Sequence, residues 1–300
     1  MTLVSTSAFY DRSTRDLSSL RTRAEGLQTA LSTGQRLLKP SDDPVGAAQL
    51  RSLMRADHFS AIDQTTAARA ASDLTLTDSA LSNFANYVIR AQELTTQAAS
   101  GTLTAAQRSG IATELTQMAD ELVRLANSRD SSGHALFGGQ TAGNAYSVTG
   151  AGALQYDGTA VASELPLGDG QTVTKGVTGP EFLNFSGTNL YAVVKGLADA
   201  LSGGAPDPAQ AARDALGQLD AGLDSITTAQ TVVGARLNWI DLIGERRTQQ
   251  GELRASEEAE VGGAELASTV TQLQQVMTVL EASQASFAKL ASLSLFDLLR

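Results

Sequence analysis

The chain has no cysteine. Disulfides and thiolate metal sites are therefore excluded. Aromatic residues are scarce, at 5% of 300 residues, although apolar residues reach 42%. Alanine and leucine supply most of that apolar content, which suits helices packing on helices better than a thick mixed core. Charged residues make up only 18% and sum to a net charge of -10. The arginines are scattered, so no clustered basic face is available for a phosphate backbone or for an anionic membrane surface. No apolar run approaches the roughly 18–20 residues of a membrane span. The first residues, Met-Thr-Leu-Val-Ser-Thr-Ser, lack a basic region followed by an apolar core, so no cleavable signal peptide is expected.

What the chain does contain is helical periodicity at both ends of a glycine-rich middle. Leu17, Leu20, Ala24, Leu27, Leu31 and Leu38 recur at 3–4 spacing, with Gly34 filling the gap, and predict one long helix with a coiled-coil-like seam. Pro40 disfavours helix at Lys39. Asp43 is a good N-cap and Pro44 suits the first helical position, so Asp42-Asp43-Pro44 should open a second helix. Leu74, Leu81, Phe84, Val88 and Ala91 give it an apolar stripe, and Ser100-Gly101 should stop it. A third helix should begin near Thr104, with Ile111, Leu115, Met118, Leu122 and Leu125 as its seam.

Residues 132–187 hold twelve of the 27 glycines, which marks a change of architecture. Ala145–Val148, Leu154–Tyr156 and Gln171–Thr174 read as strands, with turn chemistry at Tyr156-Asp157-Gly158 and Gly168-Asp169-Gly170. Helix should return near Pro208, with Leu216 to Ile240 at 3–4 spacing. A last stretch places Ala259, Gly263, Leu266, Val270, Leu273, Met277, Leu280, Phe287 and Ala291 on one heptad frame, as if a single rod. Such a rod has no interior and must bury its stripe against another helix. The Leu17–Leu38 stripe is the obvious partner.

Sites for chemistry are sparse. His58 and His134 are the only histidines, and they lie in different predicted units. Asp57 and His58 are adjacent and do not share a helix face. There is no Gly-x-Ser-x-Gly elbow. Gly150-Ala151-Gly152 opens no helix and so fails as a dinucleotide loop. Asp42-Asp43 and Glu257-Glu258 are paired carboxylates, but both read as charge and caps at helix starts rather than as a glycosidase pair. No catalytic, cofactor-binding or metal-ligating residue is assigned.

Several segments carry a resemblance. Leu31-Ser32-Thr33-Gly34-Gln35-Arg36-Leu37, followed by Pro40-Ser41-Asp42-Asp43-Pro44-Val45-Gly46-Ala47, resembles the N-terminal signature of the bacterial flagellin superfamily. Arg90, Glu93-Leu94 and Gln97-Ala98-Ala99-Ser100-Gly101 are similar to its outer helical segment. Pro44, Leu136-Phe137-Gly138-Gly139 and the Leu280–Leu298 ending resemble the hook-associated branch that joins hook to filament, rather than filament-forming flagellin. The resemblance implies export without a cleaved signal by the flagellar type III apparatus, and a cytoplasmic chaperone. It implies terminal segments that order on assembly, and an extracellular place in the flagellum. The implied partners are copies of the same chain, subunits of the hook-associated protein 1 type, and flagellin.

The expected fold is mainly α: a long antiparallel helical stalk formed by the N- and C-terminal segments, with a small inserted β domain. The expected division is 1–43 and 256–300 for an inner assembly domain, 44–132 and 191–255 for the stalk, and 133–190 for the β domain. Leu17, Leu20, Leu27, Leu31, Leu266, Val270, Leu273, Met277, Leu280 and Phe287 are the expected assembly interface. Pro40, Asp42, Asp43 and Pro44 are the expected hinge and cap. A self-polymerising flagellin is the alternative, and a secreted enzyme with its site in 133–187 is the remote one.

Overall fold

The computed structural model describes residues 3–37 and 39–297, with side chains for 8–37 and 39–290. Leu38, Ala291 and the ending from Leu293 to Leu298 fall outside the described residues or side chains. The chain divides into two compact units, Met1–His58 with Gln249–Arg300, and Phe59–Thr248.

The terminal unit is built on two helices, α1 (Leu3–Thr33) and α7 (Leu266–Asp297), which pack against each other. They run antiparallel, with Tyr10 edge-on to Phe287 at 5.5 Å and Gln35 paired with Gly263. On α1 the residues turned from solvent are Tyr10, Ser13, Leu17, Leu20, Ala24, Leu27 and Leu31, with Ala30 beside them. That is the predicted seam. The helix itself ends at Thr33 rather than running to Leu38, and Gly34 lies beyond it at φ +69°. Gly34 therefore takes the left-handed position that closes a helix, and does not fill a gap in the seam.

On α7 the frame differs from the expectation. Thr269, Val276 and Leu280 are buried, and Leu273, Ser283 and Phe287 are half-buried. The seam is thus 269-273-276-280-283-287. Leu266, Val270 and Met277 lie outside it and are exposed by 58%, 42% and 43%. Nor is the last stretch one rod. The preceding helix, α6 (Pro208–Gly262), stops at Gly262, and α7 starts three residues beyond Gly263. Glu257, Glu258 and Glu260 consequently sit in the final turns of α6, not before a helix start. Glu257 Oε1 accepts a hydrogen bond from Gln49 Nε2 at 2.9 Å.

Between the termini come α2 (Pro44–Ala99) and α3 (Ala105–Ala126). Helix α3 starts where expected, beside Thr104, and a capping box closes its start: Thr104 Oγ1 accepts from the Gln107 amide at 3.3 Å, and Gln107 Oε1 accepts from the Thr104 amide at 2.9 Å. Six short strands follow, β1 (Tyr146–Val148), β2 (Leu154–Tyr156), β3 (Glu164–Gly168), β4 (Gln171–Thr174), β5 (Asn184–Phe185) and β6 (Thr188–Asn189). They pair as three separate antiparallel hairpins. Asp169 and Gly170, both at positive φ, turn β3 into β4 as the Asp-Gly signal predicted. The turn between β1 and β2 spans Thr149–Ala153.

The hairpins do not form a β domain with a core of its own. Phe137, Leu167, Val173 and Phe182 join Leu74, Leu81 and Phe84 of α2, Leu115 of α3 and Leu219 and Ile226 of α6 in one apolar cluster. Phe84, Phe137 and Phe182 meet with ring centroids 4.8–5.9 Å apart. Strands of two to five residues cannot bury enough area alone, so their apolar faces close over the helices. Helix also returns earlier than Pro208. A short α4 (Gly179–Leu183) lies between β4 and β5, and α5 (Leu190–Asp199) buries Leu190, Val194 and Leu197.

Candidate assembly surface and interhelical joint

The α1/α7 pair is thin. Among its described side chains only Ala24, Ala30, Thr269, Val276 and Leu280 are buried. A groove of about 370 Å³ runs beside the seam, lined by Phe9, Leu17, Leu20, Val279, Phe287 and Leu290. Phe9, Val279 and Leu290 remain exposed by 45%, 50% and 48%. Together with Leu266, Val270 and Met277 they leave a two-helix rod with apolar residues on its solvent side. Apolar patches of that kind mark surfaces that other protein covers. The expected interface residues therefore divide. Leu17, Leu20, Leu27, Leu31, Leu273, Leu280 and Phe287 hold the two helices together, and Leu266, Val270 and Met277 face outward.

The segment joining α1 to α2 is a compact turn. The Asp42 amide donates to Lys39 O at 3.0 Å, with Pro40 at the second position of the turn, where its fixed φ fits. Asp42 Oδ2 accepts from the Lys39 amide at 2.9 Å. Asp43 Oδ1 accepts from the Gly46 amide at 2.9 Å and so caps α2, with Pro44 as its first residue. The Gly46 amide, chiefly, and the Arg36 guanidinium outweigh partial burial and hold the Asp43 carboxyl below its usual pKa. Of the four expected hinge and cap residues, Pro40 and Asp42 thus lie in the turn, and Asp43 and Pro44 open α2. The sequence reading missed Arg36, whose Nη2 donates to Val261 O at 2.8 Å. The only available hints were its place in the Gly34-Gln35-Arg36 motif and the Gly262-Gly263 pair.

In the Phe59–Thr248 unit, Lys175 joins two buried carboxylates. Its Nζ lies 3.2 Å from Asp73 Oδ2 on α2 and donates a short hydrogen bond to Asp130 Oδ2 after α3. Asp130 Oδ1 also accepts from the Ser132 and His134 amides at 2.8 and 2.9 Å. Burial works against the Asp130 charge, but Lys175 and these amides prevail and keep its pKa below the usual value. Burial likewise works against the Lys175 charge, and the two aspartates overcome it and raise its pKa. The carboxylates and the ammonium satisfy one another directly, and Asp130, Lys175 and His134 line a cavity of about 250 Å³. His58 is exposed on α2. Among the described residues no three His, Asp or Glu side chains are grouped to hold a metal ion. Among the described residues, too, no helix is long and apolar enough to cross a membrane.

Arg90, one of the residues that carried the resemblance, bonds Glu93 and Glu114 at 2.9 Å each and ties α2 to α3. The joined helices, the hairpins closed over them and the α1/α7 pair define a mainly helical protein whose small hairpins share the helices' core. Residues 4–142 match the family model for the bacterial flagellin N-terminal helical region, which contains the Leu31–Ala47 signature. Over nearly its full length the chain is similar to two proteins named flagellar hook-associated protein 3. The one from Escherichia coli is 25% identical over 316 residues and 98% of each chain. The one from Salmonella typhimurium is 26% identical over 320 residues and 99% of each. In fold it resembles the flagellar junction protein FlgL from Legionella pneumophila, with a TM-score of 0.62 at 16% identity over 71% of this chain and 99% of that one.

Proposed function

We propose that this chain is a structural component of the bacterial flagellum, the junction protein that connects hook to filament. The observation that carries the reading is likeness to hook-associated protein 3 along nearly the whole chain, ends included. The α1/α7 pair, with 1–43 and 256–300 as its inner assembly domain, packs against copies of itself and against hook-associated protein 1-type and flagellin subunits. Segments 44–132 and 191–255 make up the stalk, and 133–190 the hairpin region. The turn at Pro40 and the cap at Asp42-Asp43-Pro44 act as a hinge after α1. The protein is not an enzyme and binds neither nucleic acid nor membrane. It travels unfolded through the type III apparatus, shielded by a chaperone, and works outside the cell.

Labelling the protein along intact flagella tests the reading. A single band at the boundary between hook and filament is expected. Continuous decoration of the filament would overturn it in favour of a flagellin. Replacing Pro40 and Pro44 together by Ala should disturb swimming while leaving export intact, and normal motility in that variant would remove the hinge.

A further inference from the structure

Two helix breaks in the terminal unit lie against each other. The last carbonyls of a helix have no intrahelical partner and need one from elsewhere. At the end of α6, Gly262 O accepts from the Arg36 amide at 2.7 Å. Just past α1, Gly34 O accepts from the Ala264 amide at 2.8 Å. Gln35 and Gly263 thus pair as a single antiparallel bridge. The Arg36 side chain adds a bond to Val261 O at 2.8 Å and reaches Asp43 Oδ2, at the start of α2, at 3.5 Å. The bridge tolerates little variation. Gly263 donates to Ala259 O at 2.9 Å, and a Cβ there would stand 2.3 Å from that same oxygen.

We infer that this bridge is a latch that makes the two breaks one joint. Each break satisfies its orphan carbonyl with an amide from the other chain segment, so neither opens alone. Opening at either side severs both main-chain bonds and frees Arg36 from the end of α6. The α1/α7 pair therefore hinges about one point, and Arg36 holds that point closed. The inference rests on the geometry of the terminal unit and does not depend on which flagellar part the protein forms.

Amide hydrogen exchange on the full-length protein tests it, because exchange of a hydrogen-bonded amide reports the free energy of the opening that breaks its bond. After correction for intrinsic rates, the Arg36 and Ala264 amides should be protected and should exchange within about threefold of each other. Arg36→Ala should accelerate both by about tenfold, the loss expected for one hydrogen bond to a charged donor. Gly263→Ala should accelerate both as well, since its Cβ displaces the bridge. Arg254→Ala, which removes an ion pair with Asp57 elsewhere in the same unit, should change neither. The inference fails if the two amides are unprotected, if they differ by more than about threefold, or if the Ala264 amide keeps its rate in Arg36→Ala.

Discussion

Lys175→Met would strand two carboxylates inside the Phe59–Thr248 unit. The Asp130 side chain is 2% exposed and that of Asp73 9%. Removing one member of a buried ion pair costs about 3–5 kcal/mol, because the charge left behind has lost both water and partner. Asp130 keeps its bonds from the Ser132 and His134 amides, which places the expected loss near the lower end, at about 3 kcal/mol. For a unit of this size that is a fall in Tm of about 6–12 °C. The chain's single tryptophan, Trp239 on α6, lies in the same unit, so its fluorescence in a urea titration reports this unit directly.

The pH dependence supplies a second check. Asp130 has a depressed pKa, so its contribution is present above the ordinary value of 3.8 and is lost as pH falls through the lower folded value. Lys175 has a raised pKa, so its contribution is present below 10.5 and is lost as pH rises through the higher folded value. The unaltered cluster should therefore add a constant increment between these limits. In Lys175→Met the burial cost dominates and favours the protonated carboxylate. The variant's deficit should then narrow as pH falls from neutrality. A triple variant, Asp73→Asn with Asp130→Asn and Lys175→Met, should recover most of the loss, since no charge remains to be paired. A loss under about 1 kcal/mol, or a deficit unchanged with pH, would refute the reasoning.

The outward residues of α7 give a functional contrast. Val270→Asp with Met277→Asp should leave the monomer's stability within about 0.5 kcal/mol yet abolish incorporation into hook-seeded assemblies, and full incorporation would show that this face is not an interface. Leu280→Ala, in the seam and 9% exposed, should cost about 2 kcal/mol, read as helicity lost by circular dichroism, and an unchanged signal would mean the pair does not depend on it. Thr104→Ala should lower the stability of the Trp239-bearing unit by about 1 kcal/mol through loss of the α3 cap, with an unchanged urea midpoint as the contrary result.

Much of the architecture is legible from local signals. Thr104 with Gln107, Asp43 with Pro44, and Asp169-Gly170 each act on the backbone within four residues, and each does in the structure what its chemistry predicts. The α1 seam is equally plain, because its leucines recur at 3–4 spacing along one face. On α7 the pattern is ambiguous. Apolar residues lie on more than one face, while Thr269 and Ser283 occupy seam positions that a count of large side chains passes over. Thr269 Oγ1 bonds Glu265 O at 2.8 Å and so satisfies its hydroxyl within the helix. The break at Gly262-Gly263 is hidden for a related reason: Gly263 falls on the heptad frame and reads as a small seam residue.

The residues alone settle where the long helices lie, where prolines and caps open them, and that two remote apolar stripes need partners. Those results follow from φ restriction, capping and periodicity, which operate along a few turns of one chain segment. Tertiary structure decided the rest: which face of α7 meets α1, that the hairpins share the helices' core, that Lys175 stands between Asp73 and Asp130, and that Arg36 closes a joint with Gly262 and Ala264. Each of those depends on a carbonyl, charge or apolar face whose partner lies tens to hundreds of residues away, and no local pattern names a partner at that distance.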